Sequence, residues 1–90
     1  MTDAPYAVEF ASAAKRSLAR LPGRVVHAVI EFVAGPLAEN PRRLSKPLRN
    51  DLDGTYSARR GDYRILLRID EPHRTLVILD INHRAHIYRT

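Results

Sequence analysis

The chain of 90 residues has no cysteine. That excludes a disulfide framework, a thiolate metal site and a thiol nucleophile, and it fits a reducing cytoplasm. No apolar run approaches the ~18 residues that span a bilayer, so no membrane partner is expected. The opening Met1-Thr2-Asp3-Ala4-Pro5 lacks the basic and apolar regions of a secretion signal. Internal repeats and low-complexity segments are absent. The ten acidic residues form no carboxylate-rich cluster, and no histidine has a partner at metal-ligand spacing. Neither a metal nor another cofactor is therefore expected. Residues 1–90 are read as one domain. A chain of this size buries a little over ~60% of its extended surface, which leaves a modest core. A shallow concave surface or a sheet face is the realistic site.

What the chain does have is basic charge, and it is unevenly placed. Residues 1–39 carry four basic and four acidic groups, which cancel, whereas residues 40–90 carry eleven basic and six acidic. The whole excess of +5 lies in the second part. Most of these cations are arginines, whose planar fork suits bidentate phosphate contacts and stacking on bases. The pattern points to a polyanion or an acidic protein as partner. A solvated basic surface is the plain alternative.

Hydrophobic spacing gives the order of elements. Tyr6 to Phe10 alternates as a short strand. From Ala11 to Leu21 good helix formers follow, with Phe10, Ala14, Leu18 and Leu21 on one stripe. Pro22-Gly23 ends this helix. Val26, Val29, Ile30, Val33 and Leu37 then mark a second helix over 24–39, which Gly35-Pro36 is expected to kink or shorten. His27 reads as a partly exposed helix residue. The run from Asn40 to Asn50 holds two prolines and four basic residues without periodicity. It reads as a loop or a single turn, either a solvated linker or a basic arm carrying Lys46 near a phosphate backbone.

Beyond Gly54 the period changes to two. Thr55–Arg60 is one strand, Gly61-Asp62 a tight turn, and Tyr63–Asp70 the next strand. Glu71–Arg74 turns the chain again into the nearly continuous apolar run Thr75–Ile81. The expected fold is α+β: a short N-terminal strand, a helical hairpin, then a three- to four-stranded antiparallel sheet with the helices on one face. Along the middle strand Tyr63, Ile65, Leu67 and Ile69 alternate with Arg64, Leu66 and Arg68. One side suits a core, and the other presents Arg64 and Arg68. If the turn keeps simple register, Arg59 joins them, with Arg60 beside it.

Cations, imidazoles and a phenol are the groups that cleave RNA without a metal. Arginines stabilise the developing phosphorane charge, and a histidine or tyrosine moves protons at the 2′-OH and the leaving oxygen. Arg64, Arg84, His83, His86 and Tyr88 are therefore candidate catalytic residues, and Arg59, Arg60, Arg68 and Lys46 candidate substrate contacts. Each has a structural alternative. Arg64 could pair with a cross-strand acid such as Asp80, Tyr88 could pack in the core, and both histidines could be ordinary surface residues.

Leu52-Asp53-Gly54-Thr55-Tyr56-Ser57-Ala58-Arg59, Gly61-Asp62-Tyr63-Arg64-Ile65-Leu66 and Ile81-Asn82-His83-Arg84 with Tyr88 resemble the RelE/ParE superfamily of bacterial toxins. The likeness covers nearly the whole chain and is nearest to the RelE branch. It implies a toxin of a type II toxin–antitoxin system that cleaves mRNA in the ribosomal A site, an endoribonuclease that inhibits translation and growth. It also implies an acidic cognate antitoxin, the pair acting as an autorepressor through the antitoxin. By position Arg64 matches the family's phosphate-holding arginine, Arg84 the second arginine, and Tyr88 the C-terminal tyrosine that orients the nucleotide. Ser57 and Arg59 stand where some members have two lysines. Serine cannot replace a lysine as cation, and a guanidinium holds its proton too tightly to be a general base. His83 and His86 become the better candidates for proton transfer. The sequence also stops at Thr90, where some members have a further helix. A gyrase-binding toxin of the ParE branch, without catalysis, is the competing reading, and a non-toxic repressor component a third.

Overall fold

The computed structural model describes residues 4–48 and 54–83. Its elements in chain order are β1 (Ala7–Phe10), α1 (Ser12–Ala19), α2 (Gly23–Phe32), α3 (Pro41–Leu44), β2 (Ser45–Pro47), β3 (Thr55–Arg60), β4 (Tyr63–Asp70) and β5 (Thr75–His83). The five strands form one sheet in the order β1-β5-β4-β3-β2.

Local chemistry explains most boundaries. Pro22 caps α2, and its carbonyl accepts from the N–H groups of Val25 and Val26 at 2.9 and 3.0 Å. The expected break at Gly35-Pro36 takes a specific form. The backbone widens into a π-helical turn over Val33–Leu37 and returns to α-helical geometry through Glu39. A proline has no N–H to donate, and a π turn relieves the clash of its ring with the preceding turn. The second helix is therefore remodelled at Pro36 rather than ended there.

The strands β2 to β5 form the expected four-stranded antiparallel sheet, and two details were not legible in the sequence. Ser45–Pro47, inside the expected loop, pairs antiparallel with β3 through Ser45–Ala58, Lys46–Ser57 and Pro47–Tyr56. A proline is tolerated there because β2 is an edge strand. The N-terminal strand closes the other edge by pairing parallel with β5, Ala7 opposite Thr75 and Phe10 opposite Ile78.

The core lies between the helices and one face of the sheet. Ala14, Val29, Val33 and Leu37 from the helical layer pack with Ala58, Ile65, Leu67, Leu76, Ile78 and Ile81. Ile65 and Leu67 have 0% of their surface exposed, so the period-two reading of β4 is realised on its apolar side. A second tie joins the layers, because the Ser17 hydroxyl of α1 donates to the Asp80 carboxylate of β5 at 2.6 Å. Asp80 also accepts the N–H of Ile81 at 2.8 Å, next to the register shift at which Leu79 is left without a partner on β4. None of the helices among the described residues is long and apolar enough to cross a membrane.

Candidate nucleic-acid interface

The β3–β4 turn sets the register on which the site depends. Arg60 pairs with Tyr63, leaving only Gly61-Asp62 between the strands. Gly61 has φ 61°, as the first central residue of a type II′ turn requires. Counting back from this turn, Arg59 lies directly opposite Arg64, and Arg64 in turn lies opposite Asn82. Side chains of directly opposed residues share a face. The expected register of Arg59 and Arg64 therefore holds.

The neighbouring rows extend the same face. Lys46, Ser57 and Leu66 form one row, and Thr55, Arg68 and Val77 another. Lys46, Arg59, Arg64 and Arg68 thus stand on the face away from the helices. The alternative partner Asp80 is opposite Leu66 and holds Ser17 and the Ile81 N–H.

Next to this face is a cavity of about 520 Å³, lined by Arg43, Lys46, Arg59 and Arg64 together with Ser57 and the apolar Leu44, Pro47 and Leu48. Among the described residues none that lines it is acidic. A concave surface with several cations and no carboxylate attracts anions, and the forked guanidinium groups can grip a phosphate from two directions. Arg43 was not among the residues singled out from sequence. It enters the site because α3 turns directly into β2, so that the run Pro41-Arg42-Arg43-Leu44-Ser45-Lys46 is folded against β3. Its one sequence signal is the basic character of that run.

Arg60 and His83 are separated from Arg64. Both share the row of Tyr63, which alternation directs to the other side of the sheet. The His83 ring meets Tyr63 edge-on, with centroids 5.0 Å apart and planes at 85°. Arg60 lines shallow cavities with Val25, Ala28 and Phe32 of α2. A one-residue offset along a strand reverses the face, so adjacency in sequence to Arg59 or Asn82 works against these two residues joining them. His27 is exposed and faces Glu31 one helical turn on at 3.0 Å. Arg84, His86 and Tyr88 lie outside the described residues.

A second polar cluster lies beyond α3. The Tyr6 hydroxyl donates to Glu71 at 2.8 Å, and Arg42 pairs with the same carboxylate. Hydrogen bonds from Arg42 and Tyr6 hold Glu71 below its ordinary range, and the Glu71 bond raises Arg42. The Arg74 guanidinium is stacked 4.2 Å above the Tyr6 ring.

Comparison with known proteins places the chain in a family and a fold. A family model described as the ParE toxin of type II toxin–antitoxin system, parDE, matches residues 8–88. Toxin RelG of Mycobacterium tuberculosis is 55% identical over 85 residues, covering 94% of this chain and 98% of that one. Toxin RelE of the same organism is 52% identical over 87 residues, covering 97% and 90%. The crystal structure of the toxin–antitoxin complex RelBE2 from M. tuberculosis contains a chain that matches with a TM-score of 0.88 at 52% identity, covering 93% of this chain and 97% of that one. The isolated E. coli RelE toxin shares the fold at a TM-score of 0.71 and 15% identity, over 87% of this chain and 83% of that one.

Proposed function

The chain belongs to the ParE toxin family of type II toxin–antitoxin systems, and from that premise we propose that it is a ribosome-dependent endoribonuclease of the RelE kind. The observation that carries this reading is the cavity that Arg43, Lys46, Arg59 and Arg64 line together, with no acid among its described lining residues. Four cations around one concavity suit a chain of phosphates, and the forked guanidinium groups suit a single phosphate held from two sides.

In this reading Arg64 and Arg59 hold the scissile phosphate between them. The 2′-oxygen of the upstream ribose attacks phosphorus, its proton passes to a base, and the P–O5′ bond breaks as the 5′-oxygen gains a proton. The products are a 2′,3′-cyclic phosphate and a free 5′-OH. The arginines lower the barrier by stabilising the charge that builds on the non-bridging oxygens. Ser57 stands between the cationic rows, where it can donate to a phosphate oxygen but cannot act as base. Proton transfer falls to the tail, to His86 and Tyr88, with Arg84 as the second charge-stabilising group. The resemblance assigns the roles of Arg84 and Tyr88, and His86 enters as an imidazole where the family's lysines are missing. His83 packs edge-on against Tyr63 on the other side of the sheet.

The relative of known structure was solved as a toxin–antitoxin complex. A cognate antitoxin is accordingly the protein partner, and an acidic segment of it would neutralise the basic face. The antitoxin would also carry the pair to DNA as an autorepressor. The mRNA and the ribosome are the functional targets.

The direct test combines purified toxin, translating ribosomes and a defined mRNA. Cuts at A-site codons are expected, with free RNA cut poorly. Arg64→Ala, Arg84→Ala and Tyr88→Ala should each abolish cutting and growth arrest. Growth arrest that survives all three, with intact mRNA and blocked supercoiling, would instead identify a gyrase inhibitor.

A further inference from the structure

The basic groove does not end at Arg43. That residue also lines a second, larger cleft of about 790 Å³, bounded by β1, α3 and the β4–β5 turn. Tyr6, Glu39, Asn40, Arg42 and Arg74 line it.

The composition of this cleft is particular. The Arg74 guanidinium sits over the Tyr6 ring, 4.2 Å from its centroid, giving an aromatic and guanidinium surface of the kind on which bases are held. Arg43 supplies positive charge, and Arg42, held by the Glu71 carboxylate, offers its remaining N–H groups. Glu39 and Asn40 supply acceptors and an amide that can read the polar edge of a base. Arg74 is also the one non-glycine residue with positive φ among those described, at 44°. Such a conformation is costly for a long side chain, and the surroundings maintain it. The Arg74 N–H donates to the Glu71 carbonyl at 3.0 Å, and its guanidinium reaches the Ala4 carbonyl. The turn is thus fixed so that Arg74 covers Tyr6.

We infer that this cleft is a second nucleotide site, which takes one unpaired ribonucleotide, its phosphate on Arg42 and Arg43 and its base against the Arg74–Tyr6 stack. The inference rests on the RNA reading of the first groove. An acidic peptide fits less well. It has backbone N–H donors but no planar base to lie against the Arg74–Tyr6 pair, whereas a nucleotide brings a base, an anion and N–H and O–H donors. The nucleotide could belong to the substrate strand after it passes Arg43, or to the RNA of the ribosome.

The full chain is titrated with a labelled dinucleotide and a labelled octanucleotide of RNA over a range of salt, and with ribosomes free of mRNA. Two variants address the cleft: Arg74→Asn, which tolerates positive φ, and Arg42→Gln, whose side chain is half exposed. If the substrate strand fills the cleft, both variants bind the octanucleotide about tenfold more weakly and bind the dinucleotide as wild type does. Arg42→Gln then also shows a salt slope shallower by about 0.7, because one phosphate fewer is neutralised. If ribosomal RNA fills the cleft, weaker binding appears with mRNA-free ribosomes instead. Wild-type binding by both variants to both ligands would overturn the inference, as would a weakening confined to an Asp/Glu-rich peptide. Arg64→Ala serves as the separate control for the first groove. If it fails to weaken either oligonucleotide, the ribonuclease reading fails, whatever Arg74 and Arg42 show.

Discussion

Two arginines directly opposite one another are an unfavourable pair for a sheet, and the size of the penalty can be measured. Arg59 and Arg64 are in register across β3 and β4. The Arg59 Nε–H donates to the Gly61 carbonyl at 3.4 Å, and guanidinium centres about 7 Å apart across such a pair repel by about 0.6 kcal/mol in water. A Debye length of about 8 Å at physiological salt cuts this by more than half, while about 30 Å at 0.01 M leaves most of it. Opposed like charges on sheets fall in the same range, about 0.2–1 kcal/mol. The perturbation is a double-mutant cycle with Arg59→Gln and Arg64→Gln, read by chemical denaturation at both salt concentrations. The cycle cancels whatever other partners each arginine has, provided the single changes introduce no new contacts. A repulsive coupling of about 0.5 kcal/mol or more is expected at low salt, shrinking at physiological salt. In parallel, Arg64→Gln should lose most of the stabilisation that an RNA oligonucleotide confers on the wild type. A coupling of zero at low salt, or one indifferent to salt, would mean that the two groups do not converge. Arg59 and Arg64 would then not form a common phosphate anchor. The stability penalty is what a sheet tolerates when the pair is kept for an anion.

Three further outcomes follow from particular contacts. Gly61→Ala should destabilise by about 1 kcal/mol in denaturant titrations, from the positive φ alone, because an added methyl would meet nothing within 4 Å; an equally stable variant would contradict the turn assignment. Ser17→Ala should cost about 1–2 kcal/mol, since it removes a part-buried hydroxyl donor to the Asp80 carboxylate; a loss below a few tenths would show that α1 is held by packing alone. For Glu71 the folded-state pKa is depressed, so its contribution is present above the unfolded value and is lost as pH falls through the folded one. NMR of its carboxyl carbon should give a midpoint below the ordinary 4.5, returning towards it in Arg42→Gln, and an unmoved midpoint would contradict the Arg42 pairing.

Much of this architecture is written in local patterns. The alternation from Tyr63 to Ile69 assigned Ile65 and Leu67 to the core and Arg64 to the opposite face, because a strand's side-chain period is two whatever it pairs with. Gly61-Asp62 fixed the hairpin register, because a two-residue turn with glycine first leaves little freedom in the pairing. The helical stripes placed Ala14, Val29 and Leu37 inside for the same kind of reason.

What the sequence left open depends on partners distant along the chain. Nothing in Ala7–Phe10 says that it pairs parallel with β5, since an edge strand finds its neighbour only once the sheet exists. Nothing in Ser45–Pro47 marks three residues with a proline as a strand, since the pairing comes from β3 rather than from propensity. His83 and Arg60 looked like companions of Arg64, yet one residue of offset sends each to the other face. Arg43 and Arg74 carried no individual signal, and the turn into β2 and the close of the β4–β5 turn bring them into the two clefts. The sequence by itself determined the core face, the basic excess and the arginine at the centre of β4. Tertiary structure alone decided which cations meet, because convergence requires register and edge pairing that no local period encodes.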